Sequence, residues 1–134
     1  MDSEVLSAPY VLEYTYTRST GPVISRFLTG LRGGRIEGAR SASGRVIVPP
    51  LEYDPDSGEA IGDFVEVGQE GVVTTWARDP GQDLAWALVR LDGADTAMLH
   101  LVDGAARTGS RVRARWRAER TGSIRDIECF EVIA

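Results

Sequence analysis

The sequence contains no lysine; all fifteen of its basic residues are arginine. It has one histidine, His100, and one cysteine, Cys129. A single cysteine excludes an internal disulfide. Cys129 lies in an apolar run, where a free thiol usually serves as a small buried hydrophobe. No apolar run is long enough to span a bilayer. The first residues include Asp2 and Glu4 and show no basic stretch ahead of an apolar one, so no signal peptide is expected. Positive charge is also in short supply: twenty acidic residues against fifteen basic ones give a formal net charge of −5 and a pI of about 4.9. That balance argues against nucleic acid as the main partner. The missing lysine reads mainly as genome composition bias, although arginine also suits bidentate contacts to phosphate and carboxylate. A cytoplasmic protein is the expectation.

The 134 residues suffice for one domain with a real core, or one domain plus a small appendage. Between Gly71 and Asp103, three apolar runs are cut by two turn signals, Asp79-Pro80-Gly81 and Asp92-Gly93. The Asp-Gly pair favours a tight hairpin. In the second run Leu84, Trp86 and Leu88 share one face and Ala85, Ala87, Val89 and Leu91 the other. The third run repeats the doubling, with Ala97, Leu99 and Leu101 opposite Met98, His100 and Val102. Apolar residues on both faces predict strands buried on both sides. Residues 111–117 read RVRARWR, a strand with one dry face and one basic face built from Arg111, Arg113, Arg115 and Arg117. The last run, 124–133, shifts phase near Asp126-Ile127, which suggests a bulge. The five expected strands are 71–79, 84–92, 95–103, 111–119 and 124–133. A five-stranded antiparallel barrel of this size is most economically an OB-fold.

Upstream, Tyr10, Leu12, Tyr14 and Tyr16 alternate with other residues in a strand-like or extended pattern. Pro22 to Arg32 reads as a helix with Thr20 or Gly21 as cap and Pro22 in the first helical position. Val23, Ile24, Phe27, Leu28 and Leu31 fall on one side of it. Residues 35–63 are rich in Gly, Ser, Pro and Asp, with Val46-Ile47-Val48 as the main apolar run. Two knuckle-like turns, Arg40-Ser41-Ala42-Ser43-Gly44 and Asp54-Pro55-Asp56-Ser57-Gly58, flank Val46 to Pro50. Cysteine at 40, 43, 54 and 57 would give zinc-ribbon spacing. Those positions hold Arg40, Ser43, Asp54 and Ser57, so no metal is expected. An Arg40–Asp54 pair and the packing of Val46 to Val48 are the expected replacements.

Several stretches together resemble one family. They are Gly21-Pro22, Phe27-Leu28 and Leu31 in the helix, Gly44-Arg45-Val46 with Pro49-Pro50, and Gly71-Val72-Val73 opening the barrel. Ala85-Trp86-Ala87-Leu88, Leu91-Asp92-Gly93-Ala94-Asp95, and Asp126-Ile127 with Cys129-Phe130 complete the set. The sequence looks like the DUF35 family. The resemblance implies a mainly β architecture: an N-terminal extended segment and amphipathic helix over 1–34, a rubredoxin-like zinc ribbon over 35–63, from which this sequence departs by being degenerate and metal-free at Arg40, Ser43, Asp54 and Ser57, and an OB-fold over 64–134. It also implies a non-catalytic accessory subunit of a thiolase-superfamily enzyme acting on acyl-CoA, such as a thiolase or a lipid-transfer-protein-like aldolase of steroid side-chain breakdown. The partner is then a thiolase-like enzyme in a hetero-oligomer, with a coenzyme A thioester reached through it and no cofactor of the chain's own.

No credible catalytic set is present. There is no nucleophile elbow and no Gly-rich phosphate loop. His100 sits mid-strand, where a hydrogen-bonded structural histidine is the plainer reading. Asp92 and Asp95 fit turn chemistry, and Asp126 and Glu128 read as solvated acids on one strand face. The candidate ligand or partner contacts are Arg111, Arg113, Arg115 and Arg117, weighed against a solvated strand face balanced by nearby acids. The candidate partner interface is Tyr14, Tyr16, Phe27, Leu28, Leu31, Val46 and Val48, weighed against packing on the chain's own barrel. An OB-fold nucleic-acid binder is the alternative function. Trp116 speaks against it, because alternation points it away from the arginine face.

Overall fold

The computed structural model describes residues 21–133. The Tyr10–Tyr16 stretch, with Tyr14 and Tyr16, lies outside the described residues. Helix α1 spans Pro22–Arg32 and begins as expected with Pro22 in its first turn, after Gly21 as N-cap. No side chain of the cap residue itself serves the helix. The carboxylate of Glu52 does so instead, accepting from the Ile24 amide at 3.0 Å and the Val23 amide at 3.4 Å. A negative group over these unsatisfied N–H groups is favoured by hydrogen bonding and by the helix dipole.

Strands β1 (Glu37–Arg40), β2 (Val46–Ile47) and β3 (Asp63–Glu66) form a small antiparallel sheet in the order β2-β1-β3. Gly38 in the central strand admits no side chain, since a Cβ there would sit 2.8–2.9 Å from the side chains of Val48 and Val46. Ser41 and Gly44 close the first knuckle, and Asp54 and Gly58 close the second, each by a 2.8–2.9 Å backbone bond.

The barrel follows: β4 (Glu70–Ala77), β5 (Leu84–Leu91), β6 (Met98–Asp103), β7 (Arg111–Trp116) and β8 (Ile127–Val132). It closes in the order β4-β5-β6-β8-β7, with β7 returning to β4. The expected OB-type barrel is therefore present, with one refinement. The β6–β8 pairing is parallel, matching Val102 with Phe130, so the sheet is not wholly antiparallel. The phase shift near residue 126 has two sources. A 3-10 turn occupies Ile124–Asp126 ahead of β8, and the β7–β8 register slips so that Glu128 has no opposite residue. A second bulge falls at Thr74 in β4.

Only one face of β5 and β6 is buried, which corrects the two-sided burial expected from their composition. Ala85, Ala87, Val89 and Leu91 point inward with Met98, His100 and Val102. Trp86, Leu88 and Leu99 point outward and are exposed. A closed barrel this small buries its interior alone, and among the described residues nothing packs over the outside of these two strands. The Asp92-Gly93 turn forms, with Gly93 at φ +93° and the Ala94 amide bonded to the Leu91 carbonyl at 2.9 Å. It is not a two-residue hairpin, because β6 starts only at Met98. The extra residues, Asp95 and Thr96, reach the small sheet instead.

One continuous core joins helix, small sheet and barrel: Phe27, Leu31, Ile36, Val46 and Val48 pack in the same cluster as Val73, Val89, Val112 and Phe130. Leu28 is half-buried against it. Each fully buried Leu or Phe side chain contributes about 1.5–3 kcal/mol from removal of apolar area. These side chains are spent inside the chain, so Phe27, Leu31, Val46 and Val48 are not available as a partner surface. A second cluster, Val23, Ala39, Ile47 and Ile61, ties the other end of α1 to the small sheet.

Candidate functional site

The arginine row on β7 is neutralised. Arg111 donates two bonds to Asp92, at 2.7 and 3.0 Å, and approaches Glu70 at 3.5 Å. Arg113 meets Glu131 at 2.9 Å, and Arg115 reaches Asp103, Glu128 and Glu131 at 3.2–3.4 Å. Bonds from Arg111 hold the Asp92 carboxyl below its usual range, and those from Arg113 do the same for Glu131. Arg117 leaves the strand and its Nε donates to the Arg125 carbonyl at 2.7 Å. Three of the four guanidinium groups thus spend their hydrogen-bonding capacity on carboxylates of the neighbouring strands and turns. The sequence signal for this was the set of acids at Glu70, Asp92, Asp103, Glu128 and Glu131, which only the register brings opposite the row.

The four ribbon positions do not form a metal centre. The guanidinium of Arg40 cannot coordinate a cation, and it lies 3.8 Å from Asp63 rather than pairing with Asp54. The buried carboxylate of Asp54 accepts from the Asp56 amide at 2.8 Å. Ser43 bonds the hydroxyl of buried Ser41 at 2.9 Å, which in turn accepts from the Arg45 amide, and Ser57 accepts from the Glu59 amide at 3.2 Å. Each knuckle is closed by side-chain oxygens acting on backbone amides. Among the described residues no group of three His, Cys, Asp or Glu side chains could hold a metal ion. The donor set does not fit zinc.

The largest departure from the sequence reading is on the outside of the barrel. Trp86 stands opposite Leu101, and Leu88 opposite Leu99, across β5 and β6. Trp86 is 53% exposed and Leu99 60%, with Ile124 alongside at 39%. A groove of about 380 Å³ runs between them, lined by Trp86, Leu99, Leu101, Ile124, Arg117 and Arg125 among others. A second, of about 500 Å³, lies on the other side of Trp86 and Leu101, toward Asp79 and Asp83. In OB barrels the second and third strands and the loops after the first and fourth form the binding face. Here those strands are β5 and β6, and the loops carry Asp79–Asp83 and Arg117–Ile124. The doubled apolar pattern of β5 and β6 was the sequence signal for this surface. It was read as burial because pattern alone does not distinguish a covered face from an exposed one.

Two buried polar residues support the groove. His100 is 7% exposed beneath it. Its Nδ1 accepts from the Leu101 amide at 2.8 Å, so Nε2 carries the proton and faces the Ile124 carbonyl at 3.3 Å. The ring stands edge-on to Phe130 at 5.6 Å. Burial pushes its pKa down, against the opposing pull of its backbone hydrogen bonds. This is the structural histidine expected from sequence. Asp126 is not the solvated acid expected; it is 2% exposed. Burial alone would raise its pKa, yet amide bonds from Thr121, Gly122 and Ser123 hold it below the usual range. With Ser123 it forms a capping box on the 3-10 turn that presents Ile124 and Arg125 to the groove. Trp116 is half-buried and donates from Nε1 to Gln69 at 2.9 Å. Cys129 is buried, and burial raises its thiol pKa, which leaves it unreactive. Among the described residues no helix is long and apolar enough to cross a membrane.

No family model matches the sequence, and no curated protein does. Solved structures do match. A protein of unknown function from the DUF35 family of Sulfolobus solfataricus superposes with a TM-score of 0.67 at 21% identity, over 91% of this chain and 90% of that one. The DUF35 chain of an Ltp2–ChsH2 aldolase superposes with a TM-score of 0.61 at 19% identity, over 85% of this chain and 97% of that one. At these identities the likeness is one of fold: helix, small sheet and barrel in the DUF35 arrangement.

Proposed function

We propose that this chain is a DUF35-type accessory subunit that binds and stabilises a thiolase-superfamily enzyme acting on acyl-CoA, and that it breaks no bond itself. The observation that carries this reading is the fold shared with the DUF35 chain of an Ltp2–ChsH2 aldolase over nearly the whole of that chain. Two features of the molecule support it. Three sets of titratable groups serve the structure: His100 beneath the groove, Asp126 in a cap, and Arg111, Arg113 and Arg115 in ion pairs. Its barrel also carries an exposed apolar strip of a kind that soluble chains reserve for contacts. The coenzyme A thioester belongs to the enzyme in this reading, and a lipid-transfer-protein-like aldolase of steroid side-chain breakdown is the partner it names.

The test is co-expression with a thiolase-like protein encoded beside this gene, followed by an acyl-CoA cleavage assay with and without this chain. The expected result is that the enzyme is soluble and active with the chain and loses one or both without it. Equal solubility and activity in its absence would overturn the reading. A second reading, a binder of single-stranded nucleic acid, draws on exposed Trp86 on the face that OB barrels use for oligonucleotides. The acidic balance of the chain weighs against it.

A further inference from the structure

We propose that the outer face of β5 and β6, centred on Trp86, Leu99 and Ile124, is where the thiolase-fold enzyme docks, through an apolar segment that carries a carboxylate toward Arg117 and Arg125. This rests on the functional reading above and names the surface that would serve it.

The first argument is apolar area. Trp86 and Leu101, and Leu88 and Leu99, are cross-strand neighbours on one face, and Ile124 extends the strip from the adjoining turn. Protein interfaces have this anatomy, an apolar centre with a tryptophan anchor inside a polar rim. Of the other apolar elements considered as interface, α1 and the Val46–Val48 run are buried in the chain's own core, and Tyr14 and Tyr16 lie outside the described residues.

The second argument is charge. Arg111, Arg113 and Arg115 are paired with carboxylates, whereas neither Arg117 nor Arg125 forms an ion pair among the described residues. Both line the groove together with Ile124 and with Glu128, whose carboxylate is paired with Arg115 at 3.4 Å. The far side of Trp86 is acidic, with Asp79 and Asp83 in the wall of the second groove. Because Glu128 is already engaged by Arg115, an occupant must be apolar over Trp86 and Leu99 and negative only where it meets Arg117 and Arg125. A protein segment can meet that pattern. A nucleic-acid strand cannot meet it as well, because its phosphates would continue past two cations into two aspartates, and such strands need a basic groove along their length.

The third argument is support. The strip is held on rigid elements: the Asp126 cap fixes the Ile124 turn, and His100 ties the Leu101 amide to the Ile124 carbonyl. A surface prepared in this way loses little freedom on binding.

The experiment uses the whole chain co-expressed with the thiolase-fold protein encoded beside it. A photo-reactive benzoylphenylalanine replaces Leu99 in one sample and Arg113 in another. In parallel the variant Trp86→Ser with Leu99→Asp is measured for affinity and thermal midpoint. The expected result is a cross-link to the enzyme from position 99 and none from 113. The double variant should weaken association about 30-fold or more with its thermal midpoint unchanged, since both side chains are mostly exposed. If the complex forms with full affinity in the variant, or cross-links only from 113, the docking face is wrong and the subunit reading survives. If the unaltered chain forms no complex, the subunit reading fails and the docking face with it. Cross-linking from 99 only to a second copy of this chain, or loss in the variant of binding to a single-stranded oligonucleotide, would likewise overturn the proposal.

Discussion

Asp95 and Val46 hold each other by two hydrogen bonds: the Val46 amide donates to the Asp95 carboxylate, and the Asp95 amide donates to the Val46 carbonyl, both at 2.8 Å. Thr96 repeats the exchange with Val48, accepting from its amide at 2.8 Å and donating to its carbonyl at 3.0 Å. The barrel loop after β5 thus covers the open edge of β2. This clamp joins the small sheet to the barrel. We expect Asp95→Ala to cost about 1–3 kcal/mol, the range for hydrogen bonds to a charged group and the donors left behind. Urea unfolding checks the magnitude, and faster amide exchange at Val46 checks the mechanism.

With the ribbon clamped to the barrel in this way, we expect it to fold without zinc. Protein purified without chelator should contain no stoichiometric zinc by elemental analysis, and added chelator should leave the thermal midpoint where it was. One zinc per chain would contradict the reading of Arg40, Ser43, Asp54 and Ser57 as non-ligands.

The barrel was legible because β4, β5, β6 and β8 each show a strand-length apolar run bounded by turn residues and β7 alternates arginine with Val112, Ala114 and Trp116, and α1 because Pro22 and the Val23, Phe27, Leu31 spacing mark its start and buried side. What the sequence does not contain is register. Register sets Arg113 against Glu131 and turns a basic face into an ion-paired one. Closure hid the exposed apolar face: Trp86 and Leu99 look like core residues in any strand pattern, and only a barrel with nothing among the described residues packed over β5 and β6 leaves them outside. Asp126 was misread for a related reason, since its partners are the amides of a 3-10 turn that the phase shift near Ile127 signalled only as a bulge.

His100 gives the fold a dependence on pH. Its pKa in the folded chain lies below the ordinary 6.5 because burial disfavours the charged ring. The unfolded chain therefore binds the proton first. Stability should be full well above pH 6.5 and should fall as the pH drops through that value, until the folded-state ring titrates as well. Urea midpoints measured from pH 8 to pH 5 should show this fall, and His100→Gln should flatten it. The depressed carboxyl of Asp126 acts in a lower window: its contribution is present above the ordinary 3.8 and is lost as the pH falls through the lower folded value.

The arginine row makes an opposite kind of prediction. Because Arg113 and Arg115 serve carboxylates on β6 and β8, reversing both to Glu should lower the thermal midpoint by placing like charges together. It should leave association with the enzyme unchanged. Weakened binding with an unchanged midpoint would return the row to the docking surface.

Sedimentation velocity on the separately purified chain and thiolase-like protein, mixed at micromolar concentration, tests the central claim most directly. A permanent subunit interface buries on the order of 1,600 Å² or more in total, so the account predicts one co-sedimenting species heavier than either component. Two boundaries moving at the speeds of the isolated proteins would contradict it.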